Sequence, residues 1–328
     1  MNIEERLKYY LGEFYDKEII IDKEELINKN KLINKKIFLM NLEELNPKNK
    51  KMIKLRLTDE VSFYLYFEHM RKLLKETKIH NHILFLTGDY NNNPANLPLL
   101  CKTRRKNNNN IIINVTRYRH MNLVDYLYKN PDIPFETKKN IILWRGSTTG
   151  KRSNPANRYS LVEKYYNKNN IGIDIGFCQN KVINNCETVG SYNNKYTKEQ
   201  LEKYTKEALD ITKQLQYKFL ISVEGNEVAS GLKWMLYSNS VVLMAKPRNF
   251  SWIMEDKLIP NIHYILLKDD FSNLEEKYKW CKNNLDKCKE ISRNATQYMK
   301  QFLDIEKERE LEREVIRRYA KNIIINDK

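Results

Sequence analysis

Short apolar runs alternate with amphipathic stretches along most of the chain. Continuous apolar runs, typical of buried strands, lie at 83–87, 111–115, 140–144, 171–175, 217–223, 240–245 and 262–267. Apolar residues at helical spacing predict helices over 3–15, 59–77, 157–167, 198–212, 228–237 and 272–284, and one or two more within 286–320. Strands that alternate with helices predict an α/β fold with largely parallel sheets.

Two regions rich in turn-forming residues interrupt this alternation. The Asn-rich stretch 107–110 and the region 126–138, which contains Pro131 and Pro134, predict loops and a domain boundary. We expect one α/β domain over 1–130, a second over 138–300, and a C-terminal helix over 301–328 that packs back on the first domain. Ligands of such folds bind beyond the carboxyl ends of the strands, often between domains.

The charge balance narrows the classes of ligand. Among 328 residues, 58 Lys and Arg against 42 Asp and Glu give a net charge of +16. This balance favours a polyanion, namely nucleic acid, an anionic membrane surface or a phosphorylated ligand, although the spread of the basic residues also fits a solvated Lys-rich surface. No secretory leader and no apolar run of membrane-spanning length are evident, and five cysteines without a Cys-x-x-Cys pair favour reduced thiols. We therefore expect a cytoplasmic protein that is not secreted.

A carboxylate follows the first apolar run. Asp89 comes directly after Gly88 at the end of the strand predicted over 83–87. In a cleft at a strand end, such a carboxylate is placed to act as a general base toward a hydroxyl group. The alternative is an Asp that caps its own turn.

A second strand end carries arginines and small hydroxyl side chains. The run 140–144 delivers Arg145 and Gly146, then Ser147 and two threonines, and a helix that starts near Asn157 carries Arg158. Backbone amides, hydroxyl groups and an arginine fork form an anion site, whereas the alternative is a Ser/Thr-rich surface turn. The segment is not a nucleoside-triphosphate P-loop, because three residues rather than four separate its glycines and Arg152 follows Lys151.

A third strand end repeats the strand, glycine turn and helix. The strand 217–223 leads into Glu224, Gly225 and Asn226, and the following helix carries Lys233, whose long side chain is predicted to reach back toward the turn. The alternative is an ordinary turn with a solvated lysine. No Asp-x-Asp motif of the kind that holds a metal-bound nucleotide sugar is present. A diphosphate at these strand ends would therefore depend on Arg, Lys and backbone amides.

Over roughly 83–303 the chain resembles glycosyltransferase family 90, which includes protein O-glucosyltransferases, fungal capsule xylosyltransferases, and bacterial and large-virus members. The most specific stretches are 217–226 and 232–243, followed by 260–265 and 269–276. The shorter segments Gly-Asp-Tyr at 88–90 and Trp-Arg-Gly-Ser at 144–147 occur in the order of the family. The first 80 residues carry no such resemblance.

The resemblance implies a GT-B fold, with two Rossmann-like domains and a cleft between them, and inverting transfer from a UDP-sugar. It implies Asp89 as the catalytic base, from an acceptor-side N-terminal domain, and a donor site in the second domain. The donor-binding residues are predicted to be Arg145, Gly146, Ser147, Arg158, Glu224, Gly225, Asn226, Glu227, Val228, Ala229, Ser230, Gly231 and Lys233. Ala229 and Gly231 replace a Ser and an Arg of the glucosyltransferases, which leaves the donor sugar open between glucose and xylose.

The expected partners are a UDP-sugar donor, an acceptor hydroxyl on a surface glycan, lipopolysaccharide or protein, and the surface of an anionic membrane. No cofactor and no resident metal are expected, with stimulation by Mn²⁺ or Mg²⁺ left open. Two alternatives remain from the sequence, a basic nucleic-acid-binding protein and an inactive member of the family. An active glycosyltransferase is the preferred interpretation. No aromatic-interleaved basic motif supports binding to nucleic acid.

Overall fold

The structure is a computed structural model that describes residues 1–24, 26, 37–43, 61–87, 96–106, 108–115, 117–150, 153–179 and 198–326. The chain forms two compact units, each described here by itself. The N-terminal unit comprises 1–119, 249–254 and 302–328, and the central unit comprises 120–248 and 255–301. None of the described helices combines the length and the apolar composition that a membrane crossing requires.

The helices and strands are numbered in chain order. The α-helices are α1 (Ile3–Leu11), α2 (Val61–Thr77), α3 (Arg117–Lys129), α4 (Arg158–Tyr165), α5 (Lys198–Glu202), α6 (Ile211–Gln214), α7 (Leu232–Tyr237), α8 (Leu274–Asn283), α9 (Leu285–Lys300) and α10 (Ile305–Asn322). The strands are β1 (Ile19–Asp22), β2 (Ile37–Met40), β3 (Ile83–Leu86), β4 (Leu100–Cys101), β5 (Thr103–Arg105), β6 (Ile111–Ile112), β7 (Lys139–Gly146), β8 (Ile173–Cys178), β9 (Thr205–Lys206), β10 (Tyr217–Ile221), β11 (Val241–Met244), β12 (Asn249–Ser251), β13 (Ile265–Leu266) and β14 (Ile323–Asn326).

A six-stranded parallel sheet organises the central unit. Its strand order is β13-β11-β10-β7-β8-β9, so β7 and β10 are hydrogen-bonded neighbours although α4 and β8 lie between them in the sequence. Ile142, Ile175, Phe219 and Leu243 are fully buried in its core, which explains why these strands are continuous apolar runs rather than alternating ones. This pairing places the loops after β7 and β10 at the same edge of the sheet.

The N-terminal unit combines a mixed sheet with two strand pairs. The mixed sheet has the order β2-β3-β4-β6, in which β2 is antiparallel to β3 and the remaining pairs are parallel. A parallel pair joins β1 to β14, and an antiparallel pair joins β5 to β12. Helix α10 packs on α1 and α2, so the C-terminal segment completes this unit.

A buried ion pair fixes α10 to the first helix. Helix α1 begins with a capping box, in which the Asn2 and Glu5 side chains each bind the backbone N–H of the other. Both Nη atoms of Arg6 donate to the Glu308 carboxylate, at 2.5 and 2.8 Å, and both side chains are nearly inaccessible to solvent. Tyr10 accepts a further hydrogen bond from Arg6 at 2.7 Å. Both Nη groups of Arg6 are therefore bound within the fold.

The predicted α/β class with largely parallel sheets is confirmed. Strands predicted at 140–144, 171–175, 217–223 and 240–245 correspond to β7, β8, β10 and β11, and the stretch 286–320 forms the two helices α9 and α10. One helix prediction is wrong. Residues 198–212 form the short α5, then edge strand β9 paired with β8, then the four-residue α6. The spacing of apolar residues there therefore does not correspond to one continuous helix.

The predicted loop over 126–138 is too long at both ends. Helix α3 continues to Lys129, and Phe135–Thr137 is a 3-10 turn that leads into β7. Only the segment with Pro131 and Pro134 separates them, because a proline lacks the N–H that would continue the helix. Several short strands at the rims of the sheets, such as β1, β4 and β12, were not predicted, since two to four residues carry too little periodicity.

Candidate active site

The loops after β7 and β10 meet at the carboxyl edge of the central sheet. The first loop runs from Ser147 to Gly150, and the second contains Gly225 and Asn226. The backbone N–H of Gly150 donates to Oδ1 of Asn226 at 3.1 Å. Two predicted segments about 75 residues apart in the sequence therefore form one surface, as expected for neighbouring parallel strands.

Arg158 lies at the centre of this surface. Asn157 caps the N-terminus of α4 by accepting a hydrogen bond from the Ser160 N–H, and Arg158 is the first helical residue. Nη1 of Arg158 donates to Oγ of Ser147 at 2.9 Å and to Oγ1 of Thr149 at 2.6 Å. Nη2 donates to the Val223 carbonyl at 3.3 Å, so the guanidinium links the two loops.

The electrostatic environment of Arg158 is unusual for an arginine in a folded protein. Burial lowers the pKa of its guanidinium to about 10, which leaves the group charged at neutral pH. Among the described residues, all its hydrogen-bond partners are neutral oxygens and no carboxylate pairs with it. A desolvated cation without a counter-ion favours the binding of an anion at this position.

Glycine is required where the two loops approach each other. A Cβ added to Gly225 would lie 2.9 Å from Nη2 of Arg158 and 3.1 Å from Oγ1 of Thr149. Gly150 has a φ of 102°, and a Cβ there would lie 3.0 Å from the Gly225 carbonyl oxygen. A larger residue at Gly225 would therefore displace the Arg158 fork.

Two cations predicted for the donor site are engaged elsewhere in the central unit. Nη2 of Arg145 donates to Asp174 at 2.8 Å, and its Nε donates to the Glu207 carbonyl at 3.1 Å. Asp174 also accepts from Lys206 at 2.8 Å; burial raises its pKa, but these two donors outweigh burial and keep the pKa below its usual value. The structure therefore gives Arg145 an ion pair beside β8.

Lys233 occupies a buried position on α7. Its side chain is inaccessible to solvent, and Nζ lies 3.8 Å from Oε1 of Glu255, which is equally buried. The long side chain therefore ends at an intramolecular carboxylate, whereas the sequence interpretation directs it toward the glycine turn. A charge of this kind in the interior requires its partner.

The rest of the predicted donor loop forms the turn between β10 and α7. The Glu224 carboxylate accepts from the Arg248 N–H at 2.9 Å, and the Glu227 carbonyl accepts from the Gly225 N–H at 3.1 Å. Ala229 is buried, Val228 half-buried and Ser230 exposed, while Gly231 precedes α7 with an ordinary helical φ of −73°. Gly146 ends β7, where a Cβ would collide with the Trp144 ring. Asp89, the predicted base, lies outside the described residues, as do Gly88 and Tyr90.

The sequence interpretation missed Thr149. Its hydroxyl lies 2.6 Å from Arg158 and 2.9 Å from Oγ of Ser147, so it belongs to the same cluster. The two threonines after Ser147 could have indicated this contact, but the sequence does not show which of them faces the arginine. Thr148 is the buried one, and its Oγ1 has no hydrogen-bond partner among the described residues.

No group of three or more His, Cys, Asp or Glu side chains with metal-binding geometry occurs in the described part of the chain. The arrangement at the carboxyl edge of the sheet consists of an arginine, two hydroxyl groups and two glycine turns. Such a set holds phosphate groups by hydrogen bonds and charge.

A parallel α/β unit with an anion site at its strand ends is typical of enzymes that use nucleotide-linked substrates. The model of the family described as glycosyl transferase family 90 matches residues 110–327 of the chain. This match covers the whole cluster around Arg158. The chain belongs to glycosyltransferase family 90, and glycosyl transfer is the reaction class of the family.

Individual relatives agree with this assignment. The chain is 30% identical over 241 residues to O-glucosyltransferase LpsA of Dichelobacter nodosus, which covers 72% of this chain and 66% of that protein. It is 31% identical over 88 residues to protein O-glucosyltransferase 2 of Danio rerio, covering 27% of this chain and 17% of that protein. An uncharacterized protein, 179R of Invertebrate iridescent virus 6, is 33% identical over 118 residues, which are 34% of this chain and 9% of that protein. The chain thus spans just under two thirds of the length of LpsA.

Proposed function

We propose that the protein is an inverting glycosyltransferase that moves glucose or xylose from a UDP-sugar to a hydroxyl group of a glycan, glycolipid or protein. The single observation that carries the donor class is Arg158, a partly buried arginine whose described partners are neutral oxygens, in a family of glycosyltransferases. In the proposal, a diphosphate supplies the counter-charge that the described residues do not provide. The proposal includes the GT-B architecture that the family resemblance implies.

The proposed reaction requires two functions, stabilisation of the leaving group and activation of the acceptor hydroxyl, and different residues provide them. As the bond between the anomeric carbon and the diphosphate breaks, negative charge builds on the leaving UDP. In the proposal, Arg158 stabilises this charge, and the Ser147 and Thr149 hydroxyl groups hold the guanidinium in position. Asp89 removes the proton of the acceptor hydroxyl, whose oxygen attacks the face of the sugar opposite the diphosphate.

The proposal has three further parts. A donor site built of arginine, hydroxyl groups and backbone amides supports metal independence. We propose a cytoplasmic location, and the net charge of +16 supports peripheral contact with an anionic membrane. Transfer onto a lipopolysaccharide or another surface glycan is suggested by the name of the Dichelobacter nodosus relative.

The donor class is tested by thermal denaturation with UDP, UDP-glucose, UDP-xylose, UDP-galactose and GDP-sugars, with and without Mn²⁺. A ligand at a hundred times its Kd adds about 2.7 kcal/mol of stability. This corresponds to a rise of several degrees, at roughly 2–4 °C per kcal/mol. A shift with one UDP-sugar supports the proposal, and no shift with any nucleotide contradicts it.

The catalytic base is tested separately by Asp89→Asn. Loss of general-base help is expected to lower kcat about 10²–10⁴-fold and to leave the Kd for UDP unchanged. Near-normal turnover of the variant would remove Asp89 from this role. A wild-type protein that binds the donor and neither transfers nor hydrolyses the sugar would instead be an inactive family member.

A further inference from the structure

A cavity of about 360 Å³ lies in the N-terminal unit, which does not contain the Arg158 cluster. Helices α2 and α10 form its walls. From α2 it receives His69, Lys72, Leu73 and Glu76, and from α10 it receives Ile305, Glu308, Arg309 and Glu312. Each set has the spacing i, i+3, i+4 and i+7, which is one face of a helix.

These two helix faces are unusual because facing stripes of packed helices are normally apolar. Here three of the four residues on each stripe are ionisable. Asn114, at the end of β6, and Arg117, at the start of α3, close the cavity. The sequence therefore places polar groups where hydrophobic packing would otherwise join α2 to α10.

Several buried polar atoms at this cavity lack partners in the fold. Asn114 is 2% exposed, and neither Oδ1 nor Nδ2 of its amide has a hydrogen-bond partner among the described residues. Nε2 of His69 and Oε1 of Glu312 lie 3.4 Å apart, yet both atoms lack a well-formed hydrogen bond within the described part of the chain. Buried polar groups in native proteins are normally satisfied, so these atoms point to an occupant.

Most of the charged side chains around the cavity are paired with neighbouring side chains. Glu308 is paired with Arg6, Lys72 lies 3.8 Å from Glu76, and Arg309 lies 3.6 Å from Glu306. This balance disfavours a strongly charged ligand such as a phosphate. The atoms left over include a donor and an acceptor on Asn114 and an acceptor on Glu312.

A carbohydrate fits these requirements. Each of its hydroxyl groups both donates and accepts a hydrogen bond, which matches an amide beside a carboxylate. Its C–H faces suit an apolar contact such as Leu73, which also lines the cavity. The volume lies near the lower end of the range of about 300–1,000 Å³ typical of small-ligand pockets, so one small saccharide is the appropriate size.

We infer that this cavity is a saccharide-binding site that holds a sugar unit of the acceptor glycan, with Asn114, His69 and Glu312 as its polar contacts. The assignment of that sugar to the acceptor rests on the proposed function. The binding of a neutral saccharide to the cavity does not.

The test is saturation-transfer NMR of the full chain with methyl glycosides of glucose, galactose, mannose and xylose, and with inorganic phosphate as a separate arm. Saturation transfer to at least one glycoside is expected. Asn114→Leu, which replaces the amide with an apolar group of similar size, is expected to weaken the affinity for that glycoside about tenfold or more. Glu312→Gln is expected to weaken it by a smaller factor.

Glu314→Gln is the matched control, because Glu314 lies on the same helix and faces Arg317 and Arg318 instead of the cavity. Its affinity for the glycoside should equal that of the wild type. The affinity for UDP, measured on the same samples, should be unchanged in all three variants. If Asn114→Leu fails to fold, Glu312→Gln and its control still decide the result.

No transfer to any glycoside, or equal affinity in Glu312→Gln and Glu314→Gln, overturns the inference and implies that water fills the cavity. Binding of phosphate in place of glycosides overturns it as well. If the wild-type protein binds a glycoside but not UDP, the proposed function is contradicted and the saccharide site is not, because the two affinities are measured independently.

Discussion

Two arginines, the almost fully buried Arg6 and the partly buried Arg158, have opposite electrostatic environments. Arg6 in the N-terminal unit donates to both oxygens of Glu308, whereas the partners of Arg158 within the described residues of the central unit are hydroxyl and carbonyl oxygens. Burial lowers the pKa of Arg6, but its bonds to Glu308 and Tyr10 outweigh that effect and raise the pKa above its ordinary value. Burial alone dominates at Arg158 and lowers the pKa to about 10.

The contrast distinguishes an arginine whose charge stabilises the fold from one whose charge is available to a ligand. An arginine that is neutralised by an internal carboxylate contributes to the fold and has little left for a ligand. An arginine that is desolvated without a carboxylate is held at a cost in free energy, which an anionic ligand offsets. Arg6 is almost fully buried and Arg158 is partly buried, so the two arginines differ both in exposure and in their hydrogen-bond partners.

The largest effect is expected from breaking the neutralised pair. Arg6→Ala leaves the Glu308 carboxylate buried without its counter-ion, and the free energy of unfolding should fall by about 3–5 kcal/mol. The double variant Arg6→Met/Glu308→Leu should recover most of this loss, because apolar residues of similar volume replace both charges. Urea denaturation measures both values. A loss below about 1 kcal/mol in Arg6→Ala would show that the pair is not structural.

Removal of Arg158 should weaken ligand binding and not the fold. Arg158→Ala is expected to raise the Kd for UDP about 10- to 100-fold, because charge-assisted hydrogen bonds are worth about 1.5–3 kcal/mol. The melting temperature without ligand should be unchanged or higher, since a desolvated cation is lost. Isothermal titration calorimetry with UDP measures the Kd. Arg293→Ala, at an exposed position on α9, is the control.

Two adjacent threonines test whether a hydroxyl group positions Arg158. Thr149→Val removes the hydroxyl that accepts from Arg158 and should raise the Kd for UDP roughly three- to tenfold, the value of about one hydrogen bond. Thr148→Val removes a buried hydroxyl without a described partner and should leave the Kd unchanged and the protein equally or more stable. Equal effects of the two substitutions would show that Thr149 does not position the arginine.

The smallest effect is expected at His263, a partly buried group that no described carboxylate neutralises. Burial lowers its pKa, and its Nδ1 accepts from the Ile259 N–H, which requires the neutral ring. Because the folded pKa lies below the unfolded one, the stability contributed by His263 is fully present above the unfolded pKa of about 6.5 and is lost as the pH falls from there through the folded pKa. The melting temperature of His263→Gln should therefore vary less between pH 7 and pH 5 than that of the wild type. Parallel curves for the two proteins would contradict this prediction.

The central sheet was predictable from the sequence because its strands are buried on both faces and appear as continuous apolar runs. Ser147, Arg158 and Gly225 were predictable as one site because they follow neighbouring strand ends. The environments of Arg145 and Lys233 were not predictable, since each depends on a carboxylate far away in the sequence, Asp174 or Glu255. Spacing along the chain does not indicate which cations such partners neutralise.

The same limit applies to the cavity between α2 and α10. Each helix alone shows charged residues at helical spacing, which is typical of a solvated face. Only the packing of the two faces makes these residues the lining of a cavity, in which atoms of His69, Glu312 and Asn114 have no hydrogen-bond partner among the described residues. Polar patterning in a sequence is therefore ambiguous between a surface and a lined cavity.

The pairing of β1 with β14 has a consequence for the order of folding. Ile19 pairs with Ile323, so this contact joins segments roughly 300 residues apart. During synthesis the N-terminal strand emerges early and has no partner until α10 and β14 are made, whereas all segments of the central unit precede residue 302. The unit that contains the first helix is therefore the last to be completed.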